Sequence, residues 1–239
     1  MNSAFRIIES NSILHFLPVE AKSNELMILD SIRFTAEMID YNYEQLLQHL
    51  TNISLGVEKK IHFKVFTAAW SIIDLSSRLV RLHNEMQGYD TAEVQKLVFV
   101  EAFRNAIQHV DRNLARSNVK MLENGRPIYG AVKWIFFDSS QNVARTCVLV
   151  SGIFNIKNIA FRQHHNGYYE NLVNEILLET DTFKRGSSDE INLSDLRTQL
   201  RRTISHLESE VGEKVKRLGW KTANWDRCRD VILTFQNPS

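Results

Sequence analysis

The chain has 239 residues, 44% of them hydrophobic and 24% charged, with only 9 glycines and 3 prolines. That size and apolar content support a large buried core and exclude a low-complexity or intrinsically disordered chain. A formal net charge of +1 creates no strong overall field, so bulk electrostatics select neither nucleic acid nor a membrane surface, and any phosphate contact must come from a local patch.

In chain order, the first twenty residues interrupt their apolar clusters with Glu9, His15 and Glu20 and carry no basic leader, which predicts a protein that is not exported. Residues 23–54 place Leu26, Leu29, Phe34, Met38, Ile39, Leu46, Leu47, Leu50 and Ile53 at three- and four-residue steps, the spacing of an amphipathic helix stopped by Gly56. A second helix is expected from about Glu58 to Met86, through Phe66, Ala69, Trp70, Ile73, Val80 and Leu82, with Gly88 closing it. A third is expected to open at Thr91 as N-cap, with Glu93 in its first turn, and to run unbroken to about Asn118. Long helices with short connections predict an antiparallel bundle.

After Gly125-Arg126-Pro127 the period changes. The stretches IYGAVKWIFF and ARTCVLVSG, separated by DSSQN, read as a β-hairpin. FNIKNIAF is a further candidate strand, RQHHNGYYEN a loop, LVNEILLET a strand, and KRGSSDEINLSD a turn. Ser194 is the expected cap of a last long helix carrying Leu196, Leu200, Ile204, Leu207, Val211, Val215 and Leu218 on one stripe, and WDRCRDVILTF closes the chain as a strand. The expected fold class is therefore α+β, with an N-terminal antiparallel helical bundle over residues 1–122 and an α+β region with a small antiparallel sheet and a long helix over residues 123–239.

No run of about eighteen apolar residues occurs, so no membrane partner is expected and the location read from the sequence is cytoplasmic. Cys147 and Cys228 lack zinc or redox spacing and read as free thiols, and His164-His165 has no partner at a ligand spacing, so neither a metal nor a cofactor is expected.

The stretch FRNAIQHVDRN, residues 103–113, carries the chemistry. On a helical wheel Phe99, Phe103, Ala106, Ile107, Val110 and Leu114 fall on the core side, while Asn105, His109, Arg112 and Arg116 fall opposite, with Glu101, Arg104 and Gln108 on a flank. Upstream, Val94 and Val98 fall on the outer side. Simple solvation accounts for such a face; so does a surface that meets a second subunit beside a ligand groove.

Arg104-Asn105 followed by His109, late in a helix of an all-α bundle, resembles the Arg, four-to-six residues, His motif of the HEPN superfamily, in which a polar residue often follows the arginine. Arg78 to His83 and Arg201 to His206 repeat the spacing, but only the first tract has Asn directly after Arg. The resemblance covers roughly residues 23–120. It implies a helical bundle that dimerises and joins two motif copies into a metal-independent ribonuclease site, in a toxin–antitoxin or phage-defence setting, with RNA as substrate and an antitoxin or other protein as partner.

The residue types suit that chemistry. A base removes the ribose 2′-hydroxyl proton, the oxygen attacks phosphorus, and a cation stabilises the phosphorane. His109 fits the first task because imidazole titrates near neutrality, and Arg104 the second because its planar fork stays charged. Asn105, four residues before His109, orients the imidazole or the ribose. Because Arg104 and His109 point about 140° apart on one helix, two copies must supply one site. Arg112, Arg116 and Lys120 extend the motif as an RNA-binding stripe. Asp74 and Arg78 read either as support for the site or as a helix ion pair. Two other functions fit the same residues: a non-catalytic HEPN-like module that binds a nucleotide, RNA or a partner protein, and an interaction protein whose basic outer face meets another chain.

Overall fold

A computed structural model describes residues 6–57, 62–110, 129–138, 140, 142–151, 172–180 and 190–223. Among them, helices α1 (Ser23–Ser54), α2 (His62–Asn84), α3 (Ala92–Gln95) and α4 (Val100–Gln108) precede strands β1 (Ala131–Asp138), β2 (Val143–Val150), β3 (Val173–Glu179) and β4 (Glu190–Asn192), and helix α5 (Leu193–Leu218) follows. The protein is thus α+β, with helices first, then a small antiparallel sheet and a long C-terminal helix.

α1 spans the predicted residues, and Gly56 just beyond it takes a left-handed φ of 71°, which a residue with a side chain adopts only at a cost. The buried stripe Leu29, Ile32, Ala36, Ile39, Tyr43, Leu46 and Leu50 lies against Val65, Ala69, Ile72, Ile73 and Leu79 of α2. Four-residue repeats on both helices make this packing continuous. The same apolar cluster takes in Leu196, Leu200, Ile204, Leu207 and Val211 of α5 and Val132, Trp134 and Phe136 of β1. Three polar anchors fix the relative positions. The Tyr43 hydroxyl donates to the Leu193 carbonyl at 2.6 Å, the Trp134 indole donates to Ser54 Oγ at 2.9 Å, and the Asp40 carboxylate accepts the Ile7 and Ile8 backbone N–H groups at 2.9 and 3.2 Å.

The sheet order is β2-β1-β3-β4, all antiparallel. β1 is central, and Ala131 to Phe136 are buried on both faces. β3 is the segment read as a strand, whereas residues 190–192, read as part of a turn, form the edge strand β4. A bulge sits in β3 where Lys133 pairs with Leu177 but Ile135 pairs with Asn174, and Glu175 takes a φ of 44° there. The bulge frees the Ile176 N–H, which Ser194 Oγ accepts at 3.2 Å. Ser194 is therefore occupied by the sheet, and the cap of α5 is Asn192, whose side chain accepts from Ser194 N and Asp195 N at 2.9 and 3.1 Å.

The third predicted helix is not continuous. α3 has four residues, and from Leu97 to Ala102 the backbone N–H groups bond three residues back: Leu97 to Val94 at 2.9 Å, Val100 to Leu97 at 3.1 Å, Ala102 to Phe99 at 3.1 Å. Such turns advance about 120° per residue instead of about 100°, so the helical face rotates across the stretch. Val94, expected outward, is fully buried, while Phe99, expected in the core, is 48% exposed. Nor does the Thr91 hydroxyl cap α3; Asp90 Oδ1 accepts the Ala92 N–H at 2.9 Å instead. α4 ends at Gln108, and the expected continuation over residues 111–118 lies outside the described residues, as do the FNIKNIAF, RQHHNGYYEN and WDRCRDVILTF segments.

Candidate functional site

α4 begins where the tightened turn ends. Its inner face buries Phe103 and Ala106, and the flank beside that face meets α2. α2 and α4 run antiparallel, so their charged flanks match in reverse order: Arg81 Nε lies 3.0 Å from Glu101 Oε1, and Asp74 Oδ1 accepts from Arg104 Nε at 3.1 Å and from Gln108 Nε2 at 2.9 Å. Arg78 is a weaker third partner of the same carboxylate, 3.8 Å from Oδ2. Asp74 thus does more than close an ion pair on its own helix, because it also ties α2 to the motif arginine.

The mode of that tie matters. Arg104 is 20% exposed and uses only its Nε, leaving both terminal amino groups without a hydrogen bond to any described residue. A guanidinium held by its inner nitrogen keeps its outer fork for another anion. Asp74 lies between two guanidinium groups, so the cluster keeps a positive balance.

His109 follows the last residue of α4 as its C-cap, at φ −116° and ψ 25°, with its N–H on the Asn105 carbonyl at 3.1 Å. Its side chain is exposed, as is that of Asn105. The three motif residues do not converge within one chain: Arg104 leans toward Asp74 on α2, Asn105 lines a groove on the opposite side of α4, and His109 stands at the helix end. Arg112, Arg116 and Lys120 lie outside the described residues, and so do His164 and His165.

The two repeats of the spacing have different fates. His83, in the last turn of α2, is 1% exposed, and burial holds its imidazole below the ordinary value. His206, on α5, has Nε2 3.3 Å from Asp90 and 3.8 Å from Glu210, and Glu210 in turn accepts the Asp90 N–H at 2.9 Å. One histidine is core and the other ties α5 to the α2–α3 connection; of the three, His109 is the one exposed at a helix end.

The groove that Asn105 lines has a volume of about 890 Å³. One wall is the outer side of the tightened turn and α4, with Val98, Phe99 and Ala102; the other is the first half of α5, with Thr198, Gln199 and Arg202; the β4 edge adjoins both. Sequence reasoning missed it because Phe99 faces outward only once the turn tightens. Among the described residues no group of three or more His, Cys, Asp or Glu side chains is placed to hold a metal ion, and no helix is long and apolar enough to cross a membrane. Cys147 is a free, half-buried thiol whose pKa burial raises, which does not suit a nucleophile.

Comparison of the chain with protein-family models, with curated proteins and with solved structures finds no match in any of the three.

Proposed function

We propose that the protein is a metal-independent endoribonuclease, with Arg104, Asn105 and His109 of two copies forming one site across a homodimer interface. The observation that carries this reading is the outer fork of Arg104, held in place by Asp74 through Nε alone and left open a turn and a half of helix before the exposed His109. In the proposed step His109 takes the 2′-hydroxyl proton, the 2′-oxygen attacks the adjacent phosphorus, and the Arg104 fork balances the charge on the equatorial oxygens. The bond to the 5′-oxygen of the next nucleotide breaks, leaving a 2′,3′-cyclic phosphate and a 5′-hydroxyl. The divergence of Arg104 and His109 on one helix is the reason to look for the second copy.

A second reading takes its support from the same contact: an arginine paired with Asp74 suits a structural role in a non-catalytic module that binds RNA, a nucleotide or another protein. Incubating single-stranded RNA in EDTA with the wild type, Arg104→Ala and His109→Ala separates the two. The nuclease reading expects cyclic-phosphate products from the wild type, reduced about 100-fold or more in each variant. Purified wild type that cuts no RNA, or variants that cut as fast as it does, favours the binding module.

A further inference from the structure

The groove beside Asn105 is charge-compensated. Lys96 pairs with Glu93, Glu101 with Arg81 at 3.0 Å, and Glu190 lies 3.5 Å from Lys133. What stays open is one acid, Asp195, and one base, Arg202, both exposed on α5 and without a described side-chain partner. A cleft built for phosphate carries an excess of cations, and this one does not. Its wall is apolar instead: Val98 is 39% exposed and Phe99 48% exposed, held outward by the tightened turn that precedes α4. Polar groups with no net charge edge that wall, among them the amides of Asn105 and Gln199; Gln199 Nε2 is fixed by Glu93 at 2.9 Å, so its carbonyl oxygen is oriented. At about 890 Å³ the groove falls within the size range of small-ligand sites, roughly 300–1,000 Å³.

An apolar aromatic face with amide groups at its edge and no charge excess matches a planar, uncharged, hydrogen-bonding ring. Resting on the ribonuclease reading for the choice of polymer, we infer that this groove takes an unpaired base of single-stranded RNA, stacked on Phe99 and edged by Asn105, while the phosphate chain stays outside and passes Arg104. Asn105 is the hinge of the assignment, because it belongs to the motif and lines the groove. Bases locked in a duplex cannot enter such a slot, so the groove makes the protein selective for single strands.

The test uses the full chain and a fluorescein-labelled, 2′-O-methylated RNA hexamer, which cannot be cut because the attacking oxygen is blocked. Fluorescence anisotropy should show binding of the single strand and poor competition by the same sequence as a duplex. Phe99→Leu keeps apolar volume at a half-exposed position and removes the stacking face; it should bind about 5- to 100-fold more weakly with an unchanged melting temperature. If Phe99→Leu binds as tightly as the wild type, or the duplex competes equally, the groove is not a base site, whatever the cleavage assay shows. A wild type that binds no single strand also overturns the inference, and metal-free cleavage of unmodified RNA then decides separately whether the nuclease reading survives.

Discussion

Replacing Asp74 with alanine removes the carboxylate that holds both Arg104 and Gln108, at 3.1 and 2.9 Å, and that also faces Arg78. A sheltered hydrogen bond to a charged group contributes about 1.5–3 kcal/mol, whereas a fully exposed ion pair contributes about 0–1 kcal/mol. Asp74 is 36% exposed and Arg104 20%, so the two bonds together belong near the lower figures, about 1–2 kcal/mol in all. For a chain of this size that corresponds to a fall in melting temperature of roughly 2–8 °C, read by circular dichroism at a helical wavelength. The effect on cleavage should be far larger than on folding. Without Asp74 the Arg104 guanidinium loses its anchor, and a displacement on the order of 1 Å at such a group costs about 100-fold in rate. Asp74→Asn, which keeps an acceptor for Arg104 Nε, should restore much of that loss. Wild-type cleavage by Asp74→Ala at full rate would refute the positioning argument, and a melting temperature lowered by far more than this range would show that Asp74 acts mainly as a structural tie.

Two further outcomes follow from the fold. His83 is buried with its pKa lowered by desolvation, so the unfolded chain binds a proton there at pH values where the folded chain does not. Its contribution to stability is complete above a pH of about 6.5 and is lost as pH falls from there through the depressed folded value, so thermal unfolding followed from neutral to mildly acidic pH should show a decline that His83→Leu flattens. An equal decline in the variant would assign the pH dependence to another group. Gly130 has a φ of 92°, and a Cβ there would lie 2.5 Å from the Glu179 carbonyl oxygen, which is backbone and held in the sheet. Gly130→Ala should therefore lower stability by about 2 kcal/mol or more in urea titrations, and a loss below about 0.5 kcal/mol would mean that β1 shifts freely against β3.

What could be read directly from the residues was whatever depends on local periodicity. The three- and four-residue steps of α1 define Ser23–Ser54, and the β-branched and aromatic runs around DSSQN define β1 and β2, whose register runs from Ala131–Val150 to Asp138–Val143. The misreadings arise where a distant partner decides. Nothing near Ser194 reveals that a bulge at Glu175 claims its hydroxyl and leaves capping to Asn192. The run KLVF at 96–99 has no glycine or proline to mark the tightened turn, so a uniform wheel put Val94 and Phe99 on the wrong sides. For the candidate site, the outward direction of Asn105 and His109 was legible, because Phe103 and Ala106 set the phase of α4 locally. The hold of Asp74 on Arg104, thirty residues away, depends on how α2 and α4 pack and leaves no mark in local spacing.

The composite site is tested most directly by complementation. Arg104→Ala and His109→Ala chains, each inactive alone, are co-expressed with different tags and the mixed dimer is purified through both. If one copy supplies the arginine and the other the histidine, the mixed dimer contains one intact pair and cuts RNA in EDTA, while neither parent does. A mixed dimer as inactive as its parents, or a wild type that remains monomeric while cutting, would contradict a site shared between two chains.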